Sequence, residues 1–226
     1  MKKLIVAIDG PAGAGKSTVA KRLAKELDYT YMDTGAMYRA LAWRVLHERV
    51  DPTDAETLKR ILTDTKIEIV GTKDHNKVFL DGLDLTERIR TPEVSQMASR
   101  VSALKIVRER MVELQTAMGV HGGVVAEGRD IGTVVFPRAD VKIYLDASSS
   151  ERARRRFEEM RGQGGQVTRE ATLREMNERD RRDKERSVSP LCKAADAIVI
   201  DSTNSDIDGV VDRIMKEIKE KMQAIH

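Results

Sequence analysis

Cysteine is nearly absent: the 226 residues hold one, Cys192. A single thiol excludes an internal disulfide and fits a reducing compartment, where a lone cysteine is most often inert packing. An excess of one charge is also missing. With 40 Lys+Arg against 37 Asp+Glu the net charge is +3, too slight for a general nucleic-acid binder, so any basic site must be local. Long apolar runs are lacking too. The opening MKKLIVAIDG starts like a signal peptide, but Asp9 ends the run early, so neither export nor a membrane span is expected and the cytoplasm is the expected location. No repeat, low-complexity tract or long linker appears, and the length suits a single domain over 1–226.

Short apolar runs alternate with long helix-patterned stretches. Strands are expected at 4–8, 30–33, 123–127, 141–146 and 197–201, each nearly continuous in apolar residues as parallel strands covered on both faces would be. Helices are expected at 17–27, 36–48, 93–118, 150–160, 169–185 and 206–222, which makes an α/β layout. Residues 63–92 break the rhythm. KIEIVG and KVFLDG alternate at period two around TKDHN, which predicts a hairpin and hence a small antiparallel insert on the main sheet.

Between the first strand and the first helix stands GPAGAGKST: Gly10, Pro11, Ala12, Gly13, Ala14, Gly15, Lys16, Ser17 and Thr18. Gly-x-x-x-x-Gly-Lys-Ser in that context is a P-loop. Backbone N–H groups converge on an anion, so a side chain at Gly13 or Gly15 would obstruct the approach. Lys16 would reach the β- and γ-phosphates of ATP, and the Ser17 hydroxyl would complete a Mg²⁺ shell. The competing reading is a glycine turn with a helix-capping serine. The acceptor stays open at this point. A guanine switch would carry Asn-Lys-x-Asp, but Asn76-Lys77 runs into Val78-Phe79, and no strand ends in the Asp-Glu pair of a motor ATPase.

A small-molecule kinase needs a second anion site and charge to bridge both phosphate groups. TGAMYR puts Thr34 and Gly35 at a strand end and Arg39 on the first turn of the next helix; GRDIG puts Arg129 and Asp130 at another strand end. Strand ends are where open α/β sheets bind ligands. In 151–161, Arg152, Arg155 and Arg156 share a helix face by the i, i+3, i+4 rule, and Gly162 to Gly165 form a hinge, so 150–168 reads as a lid or, alternatively, as a solvated charged helix. Arg179, Asp183 and Arg186 recur at i, i+4, i+7, suited to a phosphate and a ribose hydroxyl.

Taken in order, GPAGAGKST, MDTGAMYR, IRTPEVS, EGRDIGTVVFP and ERDRRDKERSVSPL resemble the bacterial cytidylate kinases of the nucleoside monophosphate kinase superfamily, from residue 4 to about 203. The resemblance implies a five-stranded parallel sheet wrapped by helices, with the 63–92 insert enclosing CMP, and transfer of the γ-phosphoryl group of ATP to CMP or dCMP with Mg²⁺. It assigns Arg39, Arg129 and Arg186 to the acceptor phosphate and Arg179 and Asp183 to the ribose. Ser99, Arg108 and Asp130 face the cytosine, Thr34 and Tyr38 line the same pocket, and Arg156 joins the P-loop on the ATP side. Glu127, where some relatives have Asp, is assigned to ordering metal-bound water. A monomer is implied, with no nucleic acid or membrane partner. No side-chain base is required, because the CMP phosphate is already an anionic nucleophile, so His47, His75, His121 and His226 are not needed. Kinases acting on AMP, UMP or shikimate share the P-loop, as would a regulatory ATP-binding protein without an acceptor.

Overall fold

The computed structural model describes residues 3–71, 76–162, 164–165 and 167–223. Five parallel strands form the central sheet: β1 (Ile5–Asp9), β2 (Thr30–Asp33), β6 (Val124–Gly128), β7 (Val141–Asp146) and β8 (Ile198–Asp201), in the order β2-β6-β1-β7-β8. Register is set by pairs such as Ile5 with Val124, Val6 with Val141 and Ile143 with Ile198. All five lie within a residue of the spans expected from apolar continuity. β1 is central, so both of its faces must be covered, and Val6, Ala7 and Ile8 are fully buried.

On one face β1 packs against α1 (Lys16–Leu27) and α8 (Ile207–Gln223) through Val6, Ile8, Leu23, Ile214 and Ile218. Burying such side chains stabilises the fold by roughly 1.5–3 kcal/mol each. On the other face Ala7 and Ala126 meet Ile131, Val135 and Phe136. A third cluster joins α2 (Thr34–His47), α3 (Ala55–Asp64), α4 (Pro92–Val101) and α5 (Lys105–Met118) to the insert. Two further helices, α6 (Ser149–Gly162) and α7 (Arg169–Glu185), pack against each other.

Several expectations are corrected. The run 93–118 is two helices, because the Ser102 hydroxyl bonds back to the Ser99 carbonyl at 3.1 Å and Leu104 is extended (φ −81°, ψ 127°), capping the next helix. α3 forms where no helix was expected. Asp54 caps it by accepting from the Thr57 N–H at 3.1 Å, and Leu58, Ile61 and Leu62 supply its buried stripe. The insert is a three-stranded antiparallel sheet: β3 (Ile67–Gly71) pairs with β4 (Asn76–Leu80), which pairs with the short β5 (Leu83–Asp84). Of the turn expected at TKDHN, residues 72–75 lie outside the described residues, as do His75 and His226. α2 begins at Thr34, where Asp33 caps it by accepting from the Ala36 N–H, so Arg39 sits on its second turn. Cys192 is exposed and packs no core. Among the described residues no helix is long and apolar enough to cross a membrane.

Candidate active site

Chain order leaves β1 to one side for β2 and crosses back to the other for β7, so the switch point of the sheet falls at the carboxyl end of β1. Open α/β sheets bind ligands at such a crevice. The loop of residues 10–15 lies there. Gly10 has φ +152° and a Cβ on it would stand 1.9 Å from the Leu145 carbonyl oxygen; Gly13 and Gly15 have φ +75° and +90°. Only glycine takes those conformations without strain, so the loop curls tightly and presents its N–H groups at the start of α1. Lys16 is buried and its Nζ donates to the Pro11 carbonyl at 2.6 Å. Burial first, and then the charges of Arg129 and Arg179, pull its pKa down to about 7 against the attraction of Glu127 and Asp9.

Facing this loop is a cleft lined by Thr34, Tyr38, Arg39, Ser99, Arg108, Arg129, Asp130, Arg179, Asp183 and Arg186, with Gly35, Ala98, Ser102 and Gly128 completing the wall. Every residue expected to hold the acceptor is therefore brought to one cavity, from five separate stretches of chain. Of the four not anticipated as wall residues, Gly35 and Gly128 belong to motifs already read; Ala98 and Ser102 carry no local signal.

Two ion-pair systems organise the cleft. Arg108, 1 % exposed on α5, pairs through Nη2 with Asp130, donates through Nη1 to the Ser102 carbonyl at 3.2 Å, and stacks its guanidinium over the Tyr38 ring at 5.4 Å. Arg129 donates from Nε to Asp183 at 2.8 Å, while Arg186 lies 3.7 Å from Asp130 and 3.8 Å from the other Asp183 oxygen. At the mouth, Arg39 donates to Asp33 at 2.7 Å. Burial would raise the Asp183 pKa, but Arg129 and Arg179 outweigh it and hold the carboxyl below its ordinary value. Arg179 is pulled down to about 10, first by burial and then by Arg129.

Five arginines against two aspartates leave the cleft wall with surplus positive charge. Moreover, Tyr38 Oη, Ser99 Oγ, Arg108 Nε, Arg179 Nε and Arg186 Nη2 are buried with no hydrogen-bond partner in the protein. Buried polar groups are almost always paired, and leaving one unmade costs about 1–3 kcal/mol. Their convergence on one cavity marks a site shaped for a polar, anionic ligand.

Below the P-loop, Glu127 is buried and accepts from the Tyr31 hydroxyl at 2.5 Å, with the Ser17 hydroxyl beside it. Burial first, and then the neighbouring Asp33 charge, raise its pKa, opposed by Lys16. Among the described residues no group of three His, Cys, Asp or Glu could hold a metal alone. Serine and carboxylate oxygens beside a phosphate-binding loop nonetheless suit Mg²⁺, which keeps waters and shares its shell with substrate phosphates. The arginines at 152, 155 and 156 do not share one direction. Arg152 turns inward to Asp180 and the Ala12 carbonyl, Arg155 reaches Ser202, and Arg156 pairs with Glu159 at 2.7 Å.

A P-loop at the switch point of a parallel sheet, opposed by an arginine-rich cleft, defines a phosphotransferase with two facing anion sites. The family follows from comparison with known proteins. The chain matches the cytidylate kinase family model over residues 6–220, and it belongs to that family. It is 52 % identical over 220 residues to the cytidylate kinase of Bacillus subtilis, covering 97 % of this chain and 98 % of that one. A cytidylate kinase of Desulfitobacterium hafniense is 49 % identical, covering 98 % and 95 %. Among solved structures, an uncharacterized protein from Eubacterium ventriosum superposes with a TM-score of 0.50 at 16 % identity, covering 96 % of this chain and 99 % of that one, a likeness of fold alone.

Proposed function

We propose that the chain transfers the γ-phosphoryl group of ATP to CMP or dCMP, giving ADP and the nucleoside diphosphate. The observation that carries the reading is the set of unpartnered buried polar groups beside the Arg108–Asp130 pair, in a cleft facing the P-loop. Cytosine offers an N4 amino donor beside N3 and O2 acceptors. The Asp130 carboxylate suits the donor, and Arg108 and Ser99 suit the acceptors.

The acceptor phosphate is itself the nucleophile, so catalysis is a matter of alignment and charge. Arg39, Arg129 and Arg186 hold that phosphate and offset its repulsion from ATP. Lys16 and the N–H groups of residues 13–18 hold the donor phosphates, with Arg156 in reach of the same side. Asp183 and Arg179 meet the ribose. The three-stranded insert and the arginine-bearing α6 enclose the two nucleotides and exclude water, which sharpens every charge contact within. Mg²⁺, when bound, neutralises charge on the β- and γ-phosphate oxygens. Ser17 would ligate it, with Glu127 ordering its waters.

The test is release of ADP from ATP and Mg²⁺ with a panel of monophosphates. CMP and dCMP are expected to support turnover far above UMP, AMP and shikimate as acceptors. Equal turnover with UMP or AMP, or ADP release independent of any acceptor, would contradict the reading.

A further inference from the structure

The tip of the P-loop is held from outside by two helices that carry other parts of the site. Both backbone groups of Ala12 are engaged. Its N–H donates to Asp180 Oδ1 at 3.1 Å, and its carbonyl accepts from Arg152 Nη1 at 2.9 Å. Arg152 closes the triangle by pairing with the other Asp180 oxygen, and its Nε donates to the Ala147 carbonyl at 3.0 Å. Asp180 is 6 % and Arg152 8 % exposed. The next residue leaves no slack: a Cβ on Gly13 would stand 2.8 Å from the Arg152 carbonyl oxygen on α6 and 2.8 Å from Met176 Cε on α7.

Arg152 spends its Nε and Nη1 on the protein itself, and a carboxylate at Asp180 would repel a triphosphate. Neither side chain is placed as a ligand. A buried ion pair contributes little net stability compared with apolar packing of the same volume, so its value lies in fixing geometry. What it fixes joins two sites. On α7, Asp180 follows Arg179 and precedes Asp183, both of which line the acceptor cleft, while Asp180 itself faces the donor loop. One helix thus touches both substrates' sites within two turns.

We propose that Asp180 and Arg152 are a positioning pair that couples α7 to the P-loop, so that occupancy of the donor site strengthens acceptor binding and the reverse. This rests on the two-site reading above. A ligand that orders Arg179 and Asp183 holds α7 still, and through Asp180 the same ordering reaches the backbone of Ala12. By linkage the two ligands must raise each other's affinity by one common factor.

Calorimetry tests this with CMP alone, a non-hydrolysable ATP analogue alone, and each in the presence of the other, on the wild type, Asp180→Asn and Arg152→Lys. The isosteric asparagine keeps an oxygen for Ala12 but loses the charge that holds Arg152. The wild type should bind CMP about five-fold or more tightly with the analogue present. In Asp180→Asn that factor should fall toward one while CMP affinity measured alone is unchanged, and Arg152→Lys, which keeps the charge without the fork, should retain part of it. If Asp180→Asn does not fold, as read by its melting temperature, the Arg152→Lys measurement decides alone. No coupling in the wild type, full coupling in the foldable variants, or loss of CMP affinity measured alone would overturn the proposal. Wild-type turnover of CMP is recorded first, because its failure would overturn the substrate assignment and not the coupling.

Discussion

Asp9 and Gly132 stand 123 residues apart, yet the Asp9 carboxylate accepts the Gly132 N–H at 2.7 Å and the Ile131 N–H at 2.8 Å. The end of the P-loop strand thereby pins the single π-turn Ile131–Val135 that directly follows Arg129 and Asp130. Burial raises the Asp9 pKa from 3.8 to about 6 in spite of those two bonds. The folded protein therefore binds more protons than the unfolded chain between those values. The contribution of Asp9 to stability is fully present below pH 3.8 and is lost as pH rises through about 6.

Asp9→Asn confronts one of the two N–H groups with its own NH₂ and should cost about 1–3 kcal/mol. The neutral amide removes the titration, so the loss should be larger at pH 5 than at pH 8. Urea unfolding at both values reads this. A larger loss at pH 8 would mean that the ionised carboxylate is the form the fold prefers.

Lys16→Met should reduce turnover on the order of 10²-fold or more, as loss of a preorganised charge at the transferring phosphoryl does. Lys16 is absent from the acceptor wall, so CMP affinity measured alone should be nearly unchanged. Its pKa near 7 adds a second readout. Triphosphate favours the charged amine, so binding of the ATP analogue at pH 8 should take up a proton in the wild type and not in the variant. Calorimetry in buffers of different ionisation enthalpy measures it. Equal proton uptake by both proteins would remove Lys16 from that role.

Asp183 has one oxygen bonded to Arg129 and the other 3.8 Å from Arg186, beyond hydrogen-bond reach. The second oxygen is available to a ribose hydroxyl. Asp183→Ala should lower kcat/KM for both CMP and dCMP by releasing Arg129, and lower CMP further, by about 5- to 10-fold, through the lost 2′-hydroxyl bond. Identical losses would assign Asp183 wholly to holding the arginines.

The parts of the site legible in the sequence were those written contiguously. GPAGAGKST and GRD each carry their chemistry within a few residues, and buried parallel strands betray themselves by apolar continuity. Ser99 and Arg108 are legible only through family resemblance, because they stand on two separate helices, α4 and α5, and form no contiguous motif. Arg152 was misdirected by helical spacing. The i, i+3, i+4 rule places side chains on a face but not on a partner, and the partner here is Ala12, 140 residues away. The roles of Asp9 and Asp180 have no local pattern at all, since their bonding partners are brought in by the closing of the sheet.

The central claim is that the Arg108–Asp130 pair reads the base, and the CMP-to-UMP ratio of kcat/KM in the wild type and in Asp130→Asn tests it most directly. Uracil sets its O4 acceptor against the Asp130 carboxylate, a mismatch of about 1–3 kcal/mol for each unpaired buried group. An asparagine can turn its NH₂ toward O4. The expected wild-type ratio is about 10 or more, with lowered CMP activity in the variant and a ratio that shrinks at least about 5-fold. A ratio unchanged by Asp130→Asn would contradict it.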